Sequence, residues 1–93
     1  PSDLSQPILV LKFGGTSIAS PSLIQSAARR IAHCRAEQMH VVCVVSAMGD
    51  TTDRLTSLAR EVTENPPRRE MDVLLSAGEV QSMALLSMAL TEL

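Results

Sequence analysis

The chain has 93 residues, a formal net charge of −2 and 45% hydrophobic residues, but only 1% aromatic residues. This length allows one domain at most, and the hydrophobic content argues against an intrinsically disordered chain. The low charge and the scarcity of aromatic rings argue against nucleic-acid binding, which uses basic patches and stacking side chains.

Signals for export or membrane insertion are not evident in the sequence. Residues 1–7 lack a basic segment followed by an apolar one, and they are predicted to form an N-terminal tail. The longest apolar candidate, residues 80–90, is interrupted by Gln81, Ser82 and Ser87, so we expect no membrane span. Cys34 and Cys43 form no C-x-x-C pair and are expected to be reduced, buried thiols of a cytoplasmic protein.

Two short apolar runs predict strands on either side of a helix. Residues 8–11 and 41–45 are apolar without polar alternation, which is typical of parallel strands covered on both faces. Between them, Ser20 and Pro21 form a helix start, and apolar residues at helical spacing continue to about residue 39. Strand–helix–strand at this spacing predicts a βαβ unit with parallel strands.

Two further helices are predicted in the second half of the chain. One contains Leu55, Leu58 and Val62 at helical spacing and ends at residues 65–67. The other covers about residues 71–92, with a break or a new start at Gly78, and its last part is apolar almost all round and expected to be buried. Because two strands alone make a poor sheet, the sequence predicts the opening part of a larger α/β domain.

The loop after the first strand, residues 12–17, has the composition of a phosphate-binding turn. Lys12 supplies a positive charge, Gly14 and Gly15 allow close backbone approach, and their N–H groups can point at phosphate oxygens. The alternative is a strand-ending turn with a surface lysine, since Gly-Gly turns are common. Neither a Walker loop nor a G-x-G-x-x-G dinucleotide motif occurs.

Two later positions also suggest chemistry, each with a structural alternative. Residues 46–52 follow the second strand and lead into a helix, where free N–H groups favour anions, but Asp50, Thr51 or Thr52 could simply cap that helix. Glu79 lies in an apolar stretch, where it could receive a substrate ammonium or pair with Arg68 or Arg69.

Metal binding is not expected from this sequence. His33 and His40 have no metal-ligand spacing with each other or with the cysteines.

Three segments together resemble aspartate kinases of the amino acid kinase superfamily. They are residues 11–17 (LKFGGTS), residues 45–53 (VSAMGDTTD) and residues 67–79, which end in LLSAGE. The likeness runs from about Ile8 to the end of the chain, and the second and third segments are the more specific ones. It implies the N-terminal portion, residues 8–93, of a three-layer αβα amino-acid-kinase domain with a parallel-type sheet, incomplete in this chain.

The resemblance implies ATP-dependent phosphorylation of the side-chain carboxylate of L-aspartate, with Mg²⁺ accompanying ATP and no protein ligand to the metal identified in this chain. This reaction is the first step of lysine, threonine and methionine biosynthesis. Lys12 is implied to be catalytic, and the implied ATP-binding residues are Lys12, Gly14, Gly15, Thr16 and Ser17. The implied aspartate-binding residues are Ser46, Thr52 and Glu79.

Length is the departure from the family pattern, because aspartate kinases are several hundred residues long and continue into ACT domains. We therefore expect the isolated chain to be inactive, and to self-associate or to pair with the rest of the kinase. Two alternatives stay open: a non-catalytic α/β module that binds an anion or a partner chain, and an amino acid kinase with a different acceptor.

Overall fold

A computed structural model of the chain describes residues 6–93. Its elements follow the predicted order of strand, helix, strand, helix, helix, with one additional short 3₁₀ helix after the first strand. The elements are β1 (Ile8–Phe13), the 3₁₀ helix (Gly15–Ile18), α1 (Pro21–Ala36), β2 (His40–Val45), α2 (Thr51–Val62) and α3 (Arg68–Thr91). Residues 1–5 of the predicted tail lie outside the described residues.

β1 and β2 form a parallel two-stranded sheet. Ile8 lies opposite His40, and the register continues to Phe13 opposite Val45. The pairing extends past both strand ends: His40 N–H donates to the Pro7 carbonyl at 2.9 Å, and Ser46 N–H donates to the Phe13 carbonyl at 3.1 Å. The predicted βαβ unit is thereby confirmed, and residue 7 is attached to the sheet.

The core lies between one face of the sheet and the helices α1 and α3. Leu11 and Phe13 of β1 are buried there, and the buried residues of the two helices that complete the cluster are Ile24, Ala27, Ala28, Ile31, Cys34 and Leu86. Ile18 of the 3₁₀ helix is almost fully buried in the same cluster. The alternation of exposed and buried residues along β1 shows that only every second side chain faces this core.

The opposite face of the sheet is open, which differs from the prediction of strands covered on both faces. Its apolar residues are largely exposed: Ile8 at 70%, Val10 at 59%, Val42 at 51% and Val44 at 48%. Helices α1 and α3 supply core side chains to one face of the sheet. The apolar residues of the other face therefore have no covering layer in residues 6–93, although their composition is typical of a doubly covered strand.

The chain is more elongated than a compact domain of the same length. Its radius of gyration is 16.2 Å and its extents are 51 × 28 × 18 Å, whereas a compact domain of this length has a radius of gyration of about 12 Å. The elongation and the open sheet face agree with the expectation of a larger α/β domain.

Helix α1 starts where the sequence predicts and ends three residues early. The Ser20 hydroxyl accepts a hydrogen bond from Leu23 N–H at 3.3 Å, and Pro21 occupies the first turn. At the other end, Gln38 adopts a positive φ of 66° in the turn to β2. A left-handed residue ends a helix and is usually glycine, a signal that is missing from this sequence.

Helix α3 is continuous from Arg68 to Thr91, so the predicted break at Gly78 is wrong. Gly78 is buried within the helix, and the predicted burial all round is also wrong, because Val80 is 55% exposed and Met83 is 52% exposed. By length and composition α3 could cross a membrane, with a mean hydropathy of 1.5 over its most apolar window, a property shared by core helices of soluble proteins. The polar residues Gln81, Ser82 and Ser87 therefore do not remove this property from α3.

Replacement of Gln38 by glycine is expected to raise the free energy of unfolding by about 1 kcal/mol, because glycine carries no penalty for a left-handed φ. Gln25→Gly in the exposed interior of α1 is the matched control and is expected to cost about 1 kcal/mol. Urea denaturation of the three proteins measures both effects. A Gln38→Gly variant as unstable as the control would contradict the assigned turn geometry.

Burial raises the pKa of the Cys43 thiol above its ordinary value, and the neighbouring Cys34 adds to the effect. The folded form therefore holds this proton more tightly than the unfolded chain does. Stability linked to Cys43 is full below the pKa of the unfolded thiol and is lost as the pH rises through the folded value. Denaturation from pH 7 to pH 10 is expected to show a steeper alkaline decline for the parent chain than for Cys43→Ala; equal declines would refute this linkage.

Candidate active site

The loops that follow β1 and β2 meet at the carboxyl edge of the sheet. Gly49 N–H donates to the Gly15 carbonyl at 2.9 Å, which joins the first loop directly to the second. Gly49 itself has a φ of 47°, a conformation that residues with a side chain rarely adopt. The parallel strands thus place the two predicted loops side by side, where open α/β sheets bind their ligands.

The two glycines of the first loop have different surroundings. A Cβ atom on Gly15 would lie 2.7 Å from the Ala47 carbonyl oxygen, closer than real contacts allow, whereas a Cβ on Gly14 would meet nothing within 4 Å. Gly15 is therefore required by close packing of the loops. Gly14 is exposed, and although its carbonyl accepts a hydrogen bond from Ser17 N–H, its other side can be approached by a ligand.

Helix α3 reaches the same edge through Gly78. A Cβ atom on Gly78 would lie 2.9 Å from the Ala47 Cβ and 3.1 Å from the Thr51 Cγ2. Ala47 is only 7% exposed and lies between Gly15 on one side and Gly78 on the other. All three segments that carry the family resemblance are therefore in contact.

The candidate site residues lie around this contact, and nearly all of them face solvent. Gly15 is half-buried, and the exposed members are Lys12, Gly14, Thr16, Ser17, Ser46, Thr52 and Glu79. Lys12 belongs to the open face of the sheet, and Glu79 lies on α3, which packs on the covered face. The two groups of residues thus approach the carboxyl edge from opposite sides of the sheet.

Glu79 does not form the ion pair with Arg68 or Arg69 that was one of its two possible roles. Within residues 6–93 no ion pair joins it to Arg68 or Arg69, which lie about three turns earlier on the same helix. The side chain is exposed, so it needs no partner for burial. Its carboxylate is available to a ligand.

The start of α2 is not capped by a side chain. Asp50 occupies the cap position but makes no capping hydrogen bond, and its carboxylate instead lies 3.6 Å from the Arg54 Nε atom. The Thr52 carbonyl accepts a hydrogen bond from the Thr56 hydroxyl at 2.8 Å, and the Thr52 side chain is exposed. The capping alternative for this segment is therefore wrong.

Metal-ligating side chains do not form clusters in residues 6–93. In the part of the chain that the structure describes, no group of three His, Cys, Asp or Glu residues could hold a metal ion.

Sequence reasoning missed the residues that hold the segments together. Ala47 and Thr51 are buried, and both contact the position of Gly78. The available signal was Gly78 itself, because a glycine inside a strong helical pattern often marks a close approach by another element. The sequence pattern alone instead predicts a helix break at Gly78, which the continuous helix contradicts.

A model of the amino acid kinase family matches residues 7–93. The chain belongs to the amino acid kinase family. Its fold, a parallel βαβ unit followed by two helices, is the N-terminal part of the fold of that family.

The similar proteins are aspartate kinases. The aspartokinase of Geobacillus stearothermophilus is 52% identical over 85 residues, and aspartokinase 2 of Bacillus subtilis is 51% identical over 85 residues; the match covers 91% of this chain and 21% of each relative. The crystal structure of aspartate kinase from Synechocystis superposes with a TM-score of 0.89 at 52% identity, covering 91% of this chain and 14% of that one. The chain spans about a fifth of the length of these curated relatives.

Gly15→Ala is expected to lower the free energy of unfolding by about 1–3 kcal/mol, because its methyl group meets a backbone oxygen that cannot move away cheaply. Gly14→Ala is the matched control. Its φ of −71° suits any residue and the space around it is open, so the expected change is within about 0.5 kcal/mol. Urea denaturation of both variants tests the packing, and equal effects would contradict it.

Proposed function

We propose that this chain forms the nucleotide- and substrate-binding edge of an aspartate kinase, which phosphorylates the side-chain carboxylate of L-aspartate with ATP. The observation that carries the proposal is the contact of the three motif segments around Ala47 at the carboxyl edge of the sheet. The identity of about 50% to named aspartokinases across nearly the whole chain supports it.

The first loop is proposed to bind the phosphates of ATP. Gly14 is exposed and has open space where a side chain would stand, and a flexible cation, Lys12, lies two residues before it. Thr16 and Ser17 follow with exposed hydroxyl groups. Backbone N–H groups and a lysine are suited to phosphate oxygens, whose negative charge they neutralise.

The second loop and α3 are proposed to bind aspartate. Ser46 supplies an exposed hydroxyl group directly after β2, and Thr52 supplies another in the first turn of α2, where backbone N–H groups favour a carboxylate. Glu79 supplies an exposed carboxylate that suits the substrate ammonium. The amino acid would then present its side-chain carboxylate to the nucleotide bound on the first loop.

The reaction joins two anions, so its main demand is positioning and charge neutralisation. An oxygen of the aspartate carboxylate attacks the γ-phosphorus, the bond from that phosphorus to the bridging oxygen breaks, and ADP leaves with the bond's electrons. Lys12 would stabilise the charge on the transferring phosphoryl group. This effect is strongest when the ammonium group is held in position before the reaction. Mg²⁺, which accompanies ATP, would neutralise further phosphate charge.

A soluble, cytoplasmic enzyme of amino-acid biosynthesis is the setting that this proposal implies. Lysine, threonine and methionine are the products to which 4-phospho-L-aspartate leads, as the family resemblance implies.

The whole activity is tested by a chimera in which residues 7–93 replace the matching segment of the Geobacillus stearothermophilus aspartokinase. We expect aspartate-dependent formation of ADP from ATP. A folded chimera that binds ATP but accepts a different amino acid would favour the alternative acceptor. A folded chimera with no kinase activity would favour the non-catalytic module and would contradict the proposal.

In this chimera, Glu79→Ala is expected to raise the KM for aspartate by about 10- to 100-fold, the value of one charge-assisted hydrogen bond, with little change in the KM for ATP. Lys12→Ala is expected to lower kcat by about 100- to 1,000-fold, as loss of a transition-state donor does. Glu92→Ala is the matched control, because this exposed carboxylate directly follows the last residue of α3, 13 residues after Glu79 and about 20 Å away along the helix axis. Steady-state kinetics with each substrate varied measures these effects.

Equal increases in both KM values for Glu79→Ala would contradict its assignment to the amino acid. A Lys12→Ala variant with an unchanged kcat would contradict a role for Lys12 in phosphoryl transfer.

A further inference from the structure

Ala47 separates the two parts of the candidate site, and its atoms are the nearest ones to both glycine positions that face each other there. Its carbonyl oxygen fills the space that a side chain on Gly15 would need, and its methyl group fills the space that a side chain on Gly78 would need. The first loop and α3 are therefore held apart by the width of one alanine residue. The Cγ2 atom of Thr51, the first residue of α2, lies 3.1 Å from the position of a Gly78 Cβ, so the start of α2 packs at the same contact.

Gly78 is costly for the helix that contains it. A glycine in a helix interior is less stable than alanine by roughly 1 kcal/mol, since it loses more backbone freedom on folding. Helix α3 is nevertheless continuous through this position. The close approach of Ala47 and Thr51 accounts for the absence of a side chain there.

The separation has a consequence for the proposed reaction. Gly15 belongs to the loop that would hold the ATP phosphates, and Gly78 immediately precedes Glu79, which would hold aspartate. A change in the distance between them would move the nucleophilic oxygen relative to the γ-phosphorus. A misplacement of 1 Å can cost about 100-fold in rate without loss of either binding contact.

We propose that Ala47 is a positioning residue, which sets the separation between the phosphate-binding loop and the aspartate-binding helix through its contacts with Gly15 and Gly78. This inference rests on the proposed function. It goes beyond that function because Ala47 needs to touch neither substrate, and because it predicts that kcat and acceptor length depend on a single methyl group.

The experiment uses the chimeric full-length enzyme and four variants: Gly78→Ala, Ala47→Gly, the double variant Ala47→Gly/Gly78→Ala, and Ala28→Gly. Gly78→Ala inserts a methyl group and widens the separation. The double variant moves that methyl group from the loop to the helix and restores the number of atoms at the contact. Ala28→Gly is the matched control, since it removes the same methyl group from the buried face of α1 within the core cluster.

For Gly78→Ala we expect kcat with aspartate to fall by about 10- to 100-fold, while the KM values for ATP and aspartate change by less than about threefold. The ratio of kcat/KM for L-glutamate to that for L-aspartate is expected to rise, because an acceptor longer by one methylene reaches across a wider gap. Ala47→Gly is expected to lower kcat by several-fold with unchanged KM values, and it adds no bulk that could prevent folding. The double variant is expected to recover roughly tenfold in kcat over Gly78→Ala, since contacting sites are strongly coupled.

Ala28→Gly is expected to lower the melting temperature without changing kcat per folded enzyme or the acceptor ratio. If Gly78→Ala and Ala47→Gly behave like this control, Ala47 serves packing alone and the inference is overturned. If KM rises for one substrate while kcat stays unchanged, Ala47 belongs to a binding contact and the inference is also overturned. An inactive parent chimera would overturn the proposed function and this inference with it.

Discussion

The parallel pairing of β1 with β2 is the constraint on which the rest of the structure depends. It places both strand ends at one edge, so that the loops after them can join through the hydrogen bond between Gly49 and Gly15. A shift of the register by one residue would turn Leu11 and Phe13 out of the core. It would also separate Ala47 from Gly15, and the contact of the three motif segments would be lost.

The periodic elements could be predicted from sequence because their signals are local. Two apolar runs and the Ser20–Pro21 start were enough for the βαβ unit, and the three motif segments were enough for the family. The close contact around Ala47 could not be predicted, since it depends on how α3 crosses the strand ends. In the sequence, a glycine that breaks a helix looks the same as a glycine that allows another element to pack closely. For Gly78 only the surrounding atoms in the structure distinguish the two cases.

Burial was the less predictable property of the chain. The strands have the composition of a doubly covered sheet, and α3 has apolar residues almost all round, yet both leave apolar surface exposed in residues 6–93. Composition reports the environment in the complete fold, whereas the observed exposure reports only the elements present in this chain. The chain spans about a fifth of the length of its aspartokinase relatives. Layers that cover the exposed apolar surface would belong to the remaining length of such a protein.

The central claim is that the first loop and α3 serve the two substrates of one reaction across a single edge. The most direct measurement is a crystal structure of the chimeric enzyme with a non-hydrolysable ATP analogue and L-aspartate bound. The account predicts the γ-phosphate within hydrogen-bond distance, about 3 Å, of the Lys12 Nζ atom and the aspartate ammonium at the same distance from the Glu79 carboxylate. The account would be contradicted if the nucleotide and the amino acid bound in separate clefts and neither Lys12 nor Glu79 contacted a ligand.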